Sequence, residues 1–457
     1  MRPVRLILTM AASLKYVFLA CAAMLAGCAK FASKPLSPAT SASDFDARRL
    51  SSPELRAALE GEGIAITPRW SLAQLAAAAR HLNPDLAVLR ARVQAAEGAL
   101  QTAGERPNPV LSFKPGYNSS STGISPWILE PGLDITIETG GKRDARRAET
   151  AAKVRVARLD LEAAAWKVRG DVRRALLAIH AAEATRGQYR SQEAAQAEAA
   201  RLLESQLKDG AARPQDVAAA RIPLNQTRLS MHDTELQAVK ARAQLASAVG
   251  VPVVALTGLD FDFSEVGQLP AEPSGGSARG HALTHRADIL AALADYAASE
   301  ERVRLEVAKQ YPDLKLGPGY KLDQTVNKWT LGIGFELPIL NQHKGAIAEA
   351  EGRRAEAAAR FLAVQAKAIG EIDLALAVYR AARAKADAAN ALATDVQAQT
   401  KTAETMKAAG ELSQLDVSQR RVEQGAADLS RAQSRIQALE ALGALEDALQ
   451  TPASSWK

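Results

Sequence analysis

Between Pro131 and Pro214 the chain contains no proline. From Gly141 to Gly210 the residues are mostly Ala, Glu, Arg, Lys, Gln and Leu, the strong helix formers. This predicts one continuous helix. At 1.5 Å per residue it would extend roughly 100 Å, several times the length of a helix in a globular domain. An element of that length is a strut or a wall, not an enzyme core. Val154, Leu161 and Val168 fall seven apart, and Val172, Leu176 and Ile179 follow at spacings of four and three, the seam of a coiled coil.

The pattern returns from Asn341 to Gly410. Ile372, Leu376 and Tyr379 stand 200 residues after Val172, Leu176 and Ile179, and the same displacement links Gly210 to Gly410 and Asp216-Val217 to Asp416-Val417. The chain is therefore a tandem duplication of one long unit. Its 457 residues are 47% hydrophobic but only 4% aromatic. Small side chains let helices approach closely, which favours shallow helix-on-helix packing over a deep core. The net charge of +6 is interleaved by sign along the helices, and without a basic-aromatic cluster no nucleic-acid partner is expected.

Each unit reads as helix, two strands, long helix and return helix, a mainly α fold with a small β part. The first unit covers 71–250, with strands near 110–117 and 127–138 and the long helix over 142–208. Residues 251–280, which include Pro270, Pro273 and Gly275-Gly276, form the linker. The second unit covers 281–450. It opens with a helix over His281–Gln310, continues with strands near 314–322 and 329–337, and places its long helix over 343–409. Residues 451–457 form a tail.

The strands alternate. Trp329, Leu331, Ile333, Phe335 and Leu337 oppose Thr330, Gly332, Gly334 and Glu336, and Leu133, Ile135 and Ile137 oppose Asp134, Thr136 and Glu138. Strands of this length with one apolar face suit a transmembrane β-barrel, with Tyr117, Trp127, Tyr320 and Trp329 at girdle positions. The alternative is a soluble four-stranded sheet resting on helices. Four strands cannot close a membrane barrel, and open edges are not tolerated in lipid. A membrane-spanning form needs several copies, and three would supply a twelve-stranded barrel.

Met1 to Gly27 has a basic start and a short apolar run, the pattern of a signal segment. It ends Leu25-Ala26-Gly27-Cys28, which resembles the lipobox of bacterial lipoproteins and makes Cys28 the expected lipid-bearing first mature residue. Residues 28–70, rich in Ser, Pro and Ala, are expected to form a lipidated, extended arm. Cys21 would leave with the signal, so neither a disulfide nor a cysteine metal cluster is available.

Motifs for catalysis are missing: there is no phosphate-binding glycine loop, nucleophile elbow or zinc-protease pattern. No enzyme activity and no cofactor are expected. His281 and His285 have the i, i+4 spacing of a metal pair but lack a third ligand nearby, which favours a structural or solvated role. Gly210 and Gly410 suit the positive φ of a turn past a helix end. Asp216 and Asp416 suit the first turn of the helices that follow, where the helix dipole favours an acid.

The duplicated unit, the proline-free helices and the signal together resemble the TolC-like outer-membrane channels of tripartite efflux pumps. Arg106-Pro107-Asn108-Pro109, Glu138-Thr139-Gly140-Gly141-Lys142-Arg143 and Leu337-Pro338-Ile339-Leu340-Asn341 resemble the heavy-metal cation (CzcC/CusC-like) subgroup served by RND pumps. The resemblance implies a homotrimer in outer-membrane lipid, with a shared twelve-stranded barrel and a trimeric α-barrel tunnel through the periplasm. It implies docking through a periplasmic adaptor on an inner-membrane, proton-driven RND pump. By position, Asp416 matches an aspartate that narrows the periplasmic entrance, while Gly210, Gly410 and Asp216 fall at the tip where an adaptor would touch. The family's multidrug members carry a second aspartate where this chain has Gln419. Two other readings stay open: a drug or small-molecule duct of the same family, and a lipid-anchored periplasmic scaffold or adaptor that transports nothing.

Overall fold

The computed structural model describes residues 31–456 apart from 121, 122, 124 and 274. The expected signal segment over 1–27 and Cys28 lie outside the described residues. The chain divides into two units, one ending at Arg48 and one beginning at Arg49. The described part of the first holds a single helix, α1 (Pro38–Asp46).

The second unit starts with another short helix, α2 (Pro53–Gly61). The expected extended arm over 28–70 is thus partly helical, for a local reason. Ser37 and Ser52 each accept a hydrogen bond from the backbone N–H three residues on. Pro38 and Pro53 occupy the first helical position, where the missing N–H has no intrahelical partner to lose. Leu55 and Leu59 of α2 are buried.

The first repeat runs β1 (Arg69–Trp70), α3 (Leu72–Leu82), α4 (Pro84–Gly104), β2 (Val110–Tyr117), β3 (Trp127–Ile137), α5 (Lys142–Lys208) and α6 (Pro214–Val249). Then come a 3-10 turn over Val253–Leu256 and β4 (Asp260–Phe261), which pairs in parallel with β1. The second repeat comprises α7 (Gly275–His285), α8 (Ala287–Ala308), β5 (Leu314–Asp323), β6 (Val326–Phe335), α9 (Lys344–Ala408) and α10 (Gln414–Leu449). The linker is therefore more ordered than its proline and glycine content implies, and α7 begins inside it. The single helix expected over 281–310 is two, broken at Arg286, whose backbone is extended.

The break has a counterpart in the first repeat at Asn83. The Asn83 side chain accepts from the N–H groups of Asp85 and Leu86, capping α4, and its amide donates to Ala248 O at 2.9 Å. At the second break, buried Arg286 donates to Ala448 O at 2.8 Å and pairs with Asp288 at 2.7 Å and Glu371 at 2.9 Å. In both repeats, the end of the return helix is clasped by the residue that interrupts the opening helix pair.

The cores repeat too. Val172, Ile179, Leu245 and Val249 are buried in the first repeat, and Ile372, Tyr379, Leu445 and Leu449 take the same places in the second. Tyr379 sends its hydroxyl to Pro270 O at 2.5 Å, fastening the linker to α9. Helix α5, at 67 residues, is roughly 100 Å long. It packs on α6, α4 and α8, and also on α10 of the other repeat, while α9 packs on α10 and α8. The helical layer accordingly reads α6–α5–α10–α9, with α6 and α9 at its two margins.

Candidate channel surface

Four strands form one antiparallel sheet in the order β2–β3–β5–β6. The register sorts most of the side chains by character. Leu111 faces Leu133, Phe113 faces Pro131, and Tyr117 faces Trp127. Ile135 faces Leu316 and Ile137 faces Leu314, which in turn face Ile333 and Phe335. Because partners across a ladder share a face, these residues form one apolar surface. The other surface carries Lys114 opposite Glu130, Ser112 opposite Gly132, Thr136 opposite Lys315, and Gly319 opposite Thr330. Trp329 is 83% exposed and Leu331 66%, so the described residues of a single copy leave much of that surface open. Tyr117 packs edge-on against Trp127 and Tyr320 leans on Trp329, which sets two aromatic pairs toward the hairpin ends. Among the described residues, the outer edges of β2 and β6 have no strand beside them.

Beneath the sheet, polar contacts tie strands to helices. Asp313 accepts from Lys142 Nζ at 2.6 Å and from the Thr139 N–H at 3.0 Å, and the Thr139 hydroxyl donates to Pro312 O. Arg146 grips Glu138 through both of its terminal nitrogens. The two long helices start alike: Gly141 and His343, directly before Lys142 and Lys344, both adopt a left-handed backbone.

At the far end lie the two turns. Gly210 (φ 74°) and Gly410 (φ 83°) are left-handed, and the next N–H reaches back five residues, from Ala211 to Gln206 O and from Glu411 to Met406 O. This is the Schellman closure that a glycine permits. Asp416 accepts from the Ser413 N–H at 2.9 Å and from its hydroxyl at 2.6 Å, and the Ser413 hydroxyl caps the Asp416 N–H. The Ser413 hydroxyl and then its N–H hold the Asp416 carboxyl below the usual range. Asp216 is held low in the same way, first by the Arg213 side chain and then by its N–H. Both aspartates are thus engaged in capping at the tip.

His281 and His285 stack in parallel, with ring centroids 4.0 Å apart, and His285 Nδ1 sits 3.0 Å from His281 O. Among the described residues, no three His, Cys, Asp or Glu side chains gather where they could hold a metal ion. Among these residues the candidate metal pair gains no third protein ligand.

A buried ionic joint between the repeats escaped the sequence. Arg173, 2% exposed on α5, reaches Glu446 at 3.0 Å and Leu439 O at 3.1 Å on α10. Arg174 pairs with Asp447 at 2.7 Å. Burial pushes the Asp447 carboxyl up, against the pull of Arg174. Two glycines make the room: a Cβ on Gly443 would lie 2.0 Å from Arg173 Nη1, and one on Gly170 would lie 2.5 Å from Asp447 Oδ1. The surrounding sequence shows no sign of this, because charged residues are frequent along both helices and only packing singles these out.

No helix among the described residues is long and apolar enough to cross a membrane. The duplicated strut and the two-faced hairpin sheet define a class, and the family model "Outer membrane efflux protein" matches residues 75–251 and 278–450, so the chain belongs to that family. Membership sets it among transport proteins and not among enzymes. It is 26% identical over 294 residues to the cobalt-zinc-cadmium resistance protein CzcC of Cupriavidus metallidurans, an alignment that covers 62% of this chain. The chain spans 66% of the length of that curated relative. The outer-membrane channel OprN shares its fold with a TM-score of 0.67 at 20% identity, over 83% of this chain and 89% of the other. The outer membrane protein VceC from Vibrio cholerae matches at 0.67 and 19% identity, covering 83% and 96%. CusC matches at 0.65 and 18%, covering 83% and 91%.

Proposed function

We propose that three copies of this chain assemble a passive exit duct through the outer membrane and periplasm, the channel component of a tripartite RND-type efflux system. The observation that carries this is the sheet. Its apolar surface is uncovered, its polar surface is lined by charges, hydroxyls and glycines, and its edges on β2 and β6 are open. Lipid on one side and water on the other satisfy both surfaces, and closure around a threefold axis satisfies both edges. The helical layer supports the same closure. Ile222, Leu229 and Leu236 recur every seven residues along α6, and Leu362, Leu374 and Leu392 stand out on α9, all more than half exposed at the two margins of the layer. One copy's α6 margin meets the next copy's α9 margin in the tunnel wall.

In this reading the cargo is divalent heavy-metal cations, by likeness to the cobalt-zinc-cadmium resistance protein. An inner-membrane pump selects the metal, and an adaptor meets the tips at Gly210, Gly410 and Asp216. Cys28 anchors the chain by a lipid. Asp416, repeated around the axis, narrows the entrance and draws cations to it. Conductance of the purified protein in a planar bilayer tests the duct. Cation-preferring channels are expected, with Asp416→Ala raising conductance and weakening the preference. A protein that stays monomeric in detergent and passes no ions refutes the duct, and an unchanged Asp416→Ala channel removes that residue from the entrance.

A further inference from the structure

Nothing in the duct uses the two histidines of α7, yet their geometry is specific. His281 and His285 are both exposed on an 11-residue helix. Residues four apart on a helix lie one above the other on the same face. Their ring centroids are 4.0 Å apart and the ring planes are 1° from parallel. His285 Nδ1 lies 3.0 Å from His281 O and 2.8 Å from the Thr284 hydroxyl. A carbonyl oxygen can only accept, so Nδ1 carries the proton and Nε2 keeps its lone pair. This is the tautomer a metal ligand needs, fixed through the other ring nitrogen by a backbone carbonyl, as metal-binding histidines commonly are. Among the described residues the His281 ring has no hydrogen-bond partner, so neither of its nitrogens is taken.

The end of the helix adds charge of the right sign. His285 is the last residue of α7, because Arg286 is extended. The carbonyls of a last helical turn carry a partial negative charge that favours a cation there. Arg286 would repel one, but its guanidinium is buried and held by Asp288 and Glu371. Arg279, two residues before His281, lies 3.8 Å from Asp373. We propose that His281 and His285 form a two-imidazole chelate for a borderline divalent cation (Cu²⁺, Ni²⁺ or Zn²⁺), with water in the remaining positions. Spacing alone argued against a metal for want of a third protein ligand. These three ions suit imidazole, however, and a site open to solvent completes its shell with water. Metal–nitrogen bonds of about 2.0–2.1 Å set two adjacent nitrogens about 3 Å apart, so the parallel rings need only tilt toward each other at one edge. A hard cation such as Mg²⁺, which takes oxygen ligands, gains nothing here. The pair lies where the linker meets the second repeat, and the site holds whether or not three chains form a duct.

Calorimetric titration of Ni²⁺ and of Zn²⁺ into the full-length protein in detergent, free of any added histidine tag, tests the pair. One ion per chain is expected, with no uptake of Mg²⁺. His281→Ala and His285→Ala should each weaken binding by about a hundredfold, because either leaves a single imidazole. The double variant should lose no more than either single one. Both positions are exposed on a helix, where alanine is favoured, and an unchanged circular dichroism spectrum checks that the variants fold. Cu²⁺ gives an independent reading: its electron paramagnetic resonance spectrum should show two coordinating nitrogens in the parent and one in each single variant. Absence of Ni²⁺ and Zn²⁺ binding overturns the proposal. So does binding that survives the double variant, as it would if the ion sat at His232, whose ring lies 3.6 Å from Glu235. Losses that add up in the double variant mark two separate contacts and overturn the chelate.

Discussion

Gly443→Ala should destabilise the protein, against the ordinary behaviour of that substitution inside a helix. Gly443 lies within α10, where alanine is normally favoured over glycine by about 1 kcal/mol. Here the new Cβ would sit 2.0 Å from Arg173 Nη1 and 3.0 Å from its Cζ, so the guanidinium must leave its place. Arg173 is buried, and moving its Nη1 gives up the bond to Leu439 O and strains the Nε contact with Glu446, which at the limit is broken. Breaking a buried ion pair from one side costs about 3–5 kcal/mol. Subtracting the helix gain leaves a net loss of about 2–4 kcal/mol. In an Arg173→Ala background the obstacle is gone, and Gly443→Ala should instead stabilise by about 1 kcal/mol. The assay is urea unfolding of the four proteins in detergent, followed by circular dichroism at the helix band. A neutral or stabilising Gly443→Ala in the parent protein refutes the steric argument, as does a loss of the same size in both backgrounds.

Three further outcomes follow from the same structure. Burial raises the Asp447 carboxyl, so the folded state binds this proton more readily than the unfolded state does. The penalty is therefore absent below the ordinary aspartate range and grows as the pH rises through the raised value. Asp447→Asn removes this dependence, and its urea midpoint should fall further than the parent's as the pH is lowered from 7 toward the ordinary aspartate range. On the sheet, Ile333→Arg should weaken membrane assembly by about 2–4 kcal/mol at mid-depth, while Thr330→Arg on the polar side should assemble normally; fractionation and native gels compare the two. Leu229→Asp at the α6 margin should lower trimer yield in detergent without altering the helix content measured by circular dichroism.

Much of this was legible because the periods were long. The long helix was legible as an element, since a proline-free run of helix formers between two glycines leaves one solution, and α5 runs Lys142–Lys208. The hairpins were legible from alternation, with ends uncertain by two or three residues because edge pairing, not composition, decides where a strand stops. The arm over 28–70 misled because its serines and prolines, which suit a coil in bulk, stand at Ser37-Pro38 and Ser52-Pro53 as helix starts. The β1–β4 bridge was invisible, since two residues on each side and a parallel pairing carry no period. Of the site residues, the turn glycines and capping aspartates declared their geometry through spacing alone. Arg173, Asp447 and the two glycines that admit their side chains did not, because the joint exists only where α5 crosses α10.

The two clasps at the opening helix breaks differ in kind. Asn83 holds Ala248 O with a neutral amide, whereas Arg286 holds Ala448 O with a guanidinium also shared by Asp288 and Glu371, whose side chains are 36% and 41% open to water. Dissolved ions weaken the second grip and leave the first untouched. Of the two clasps, the one in the second repeat is therefore the one that weakens with rising ionic strength, while its twin in the first keeps its hold.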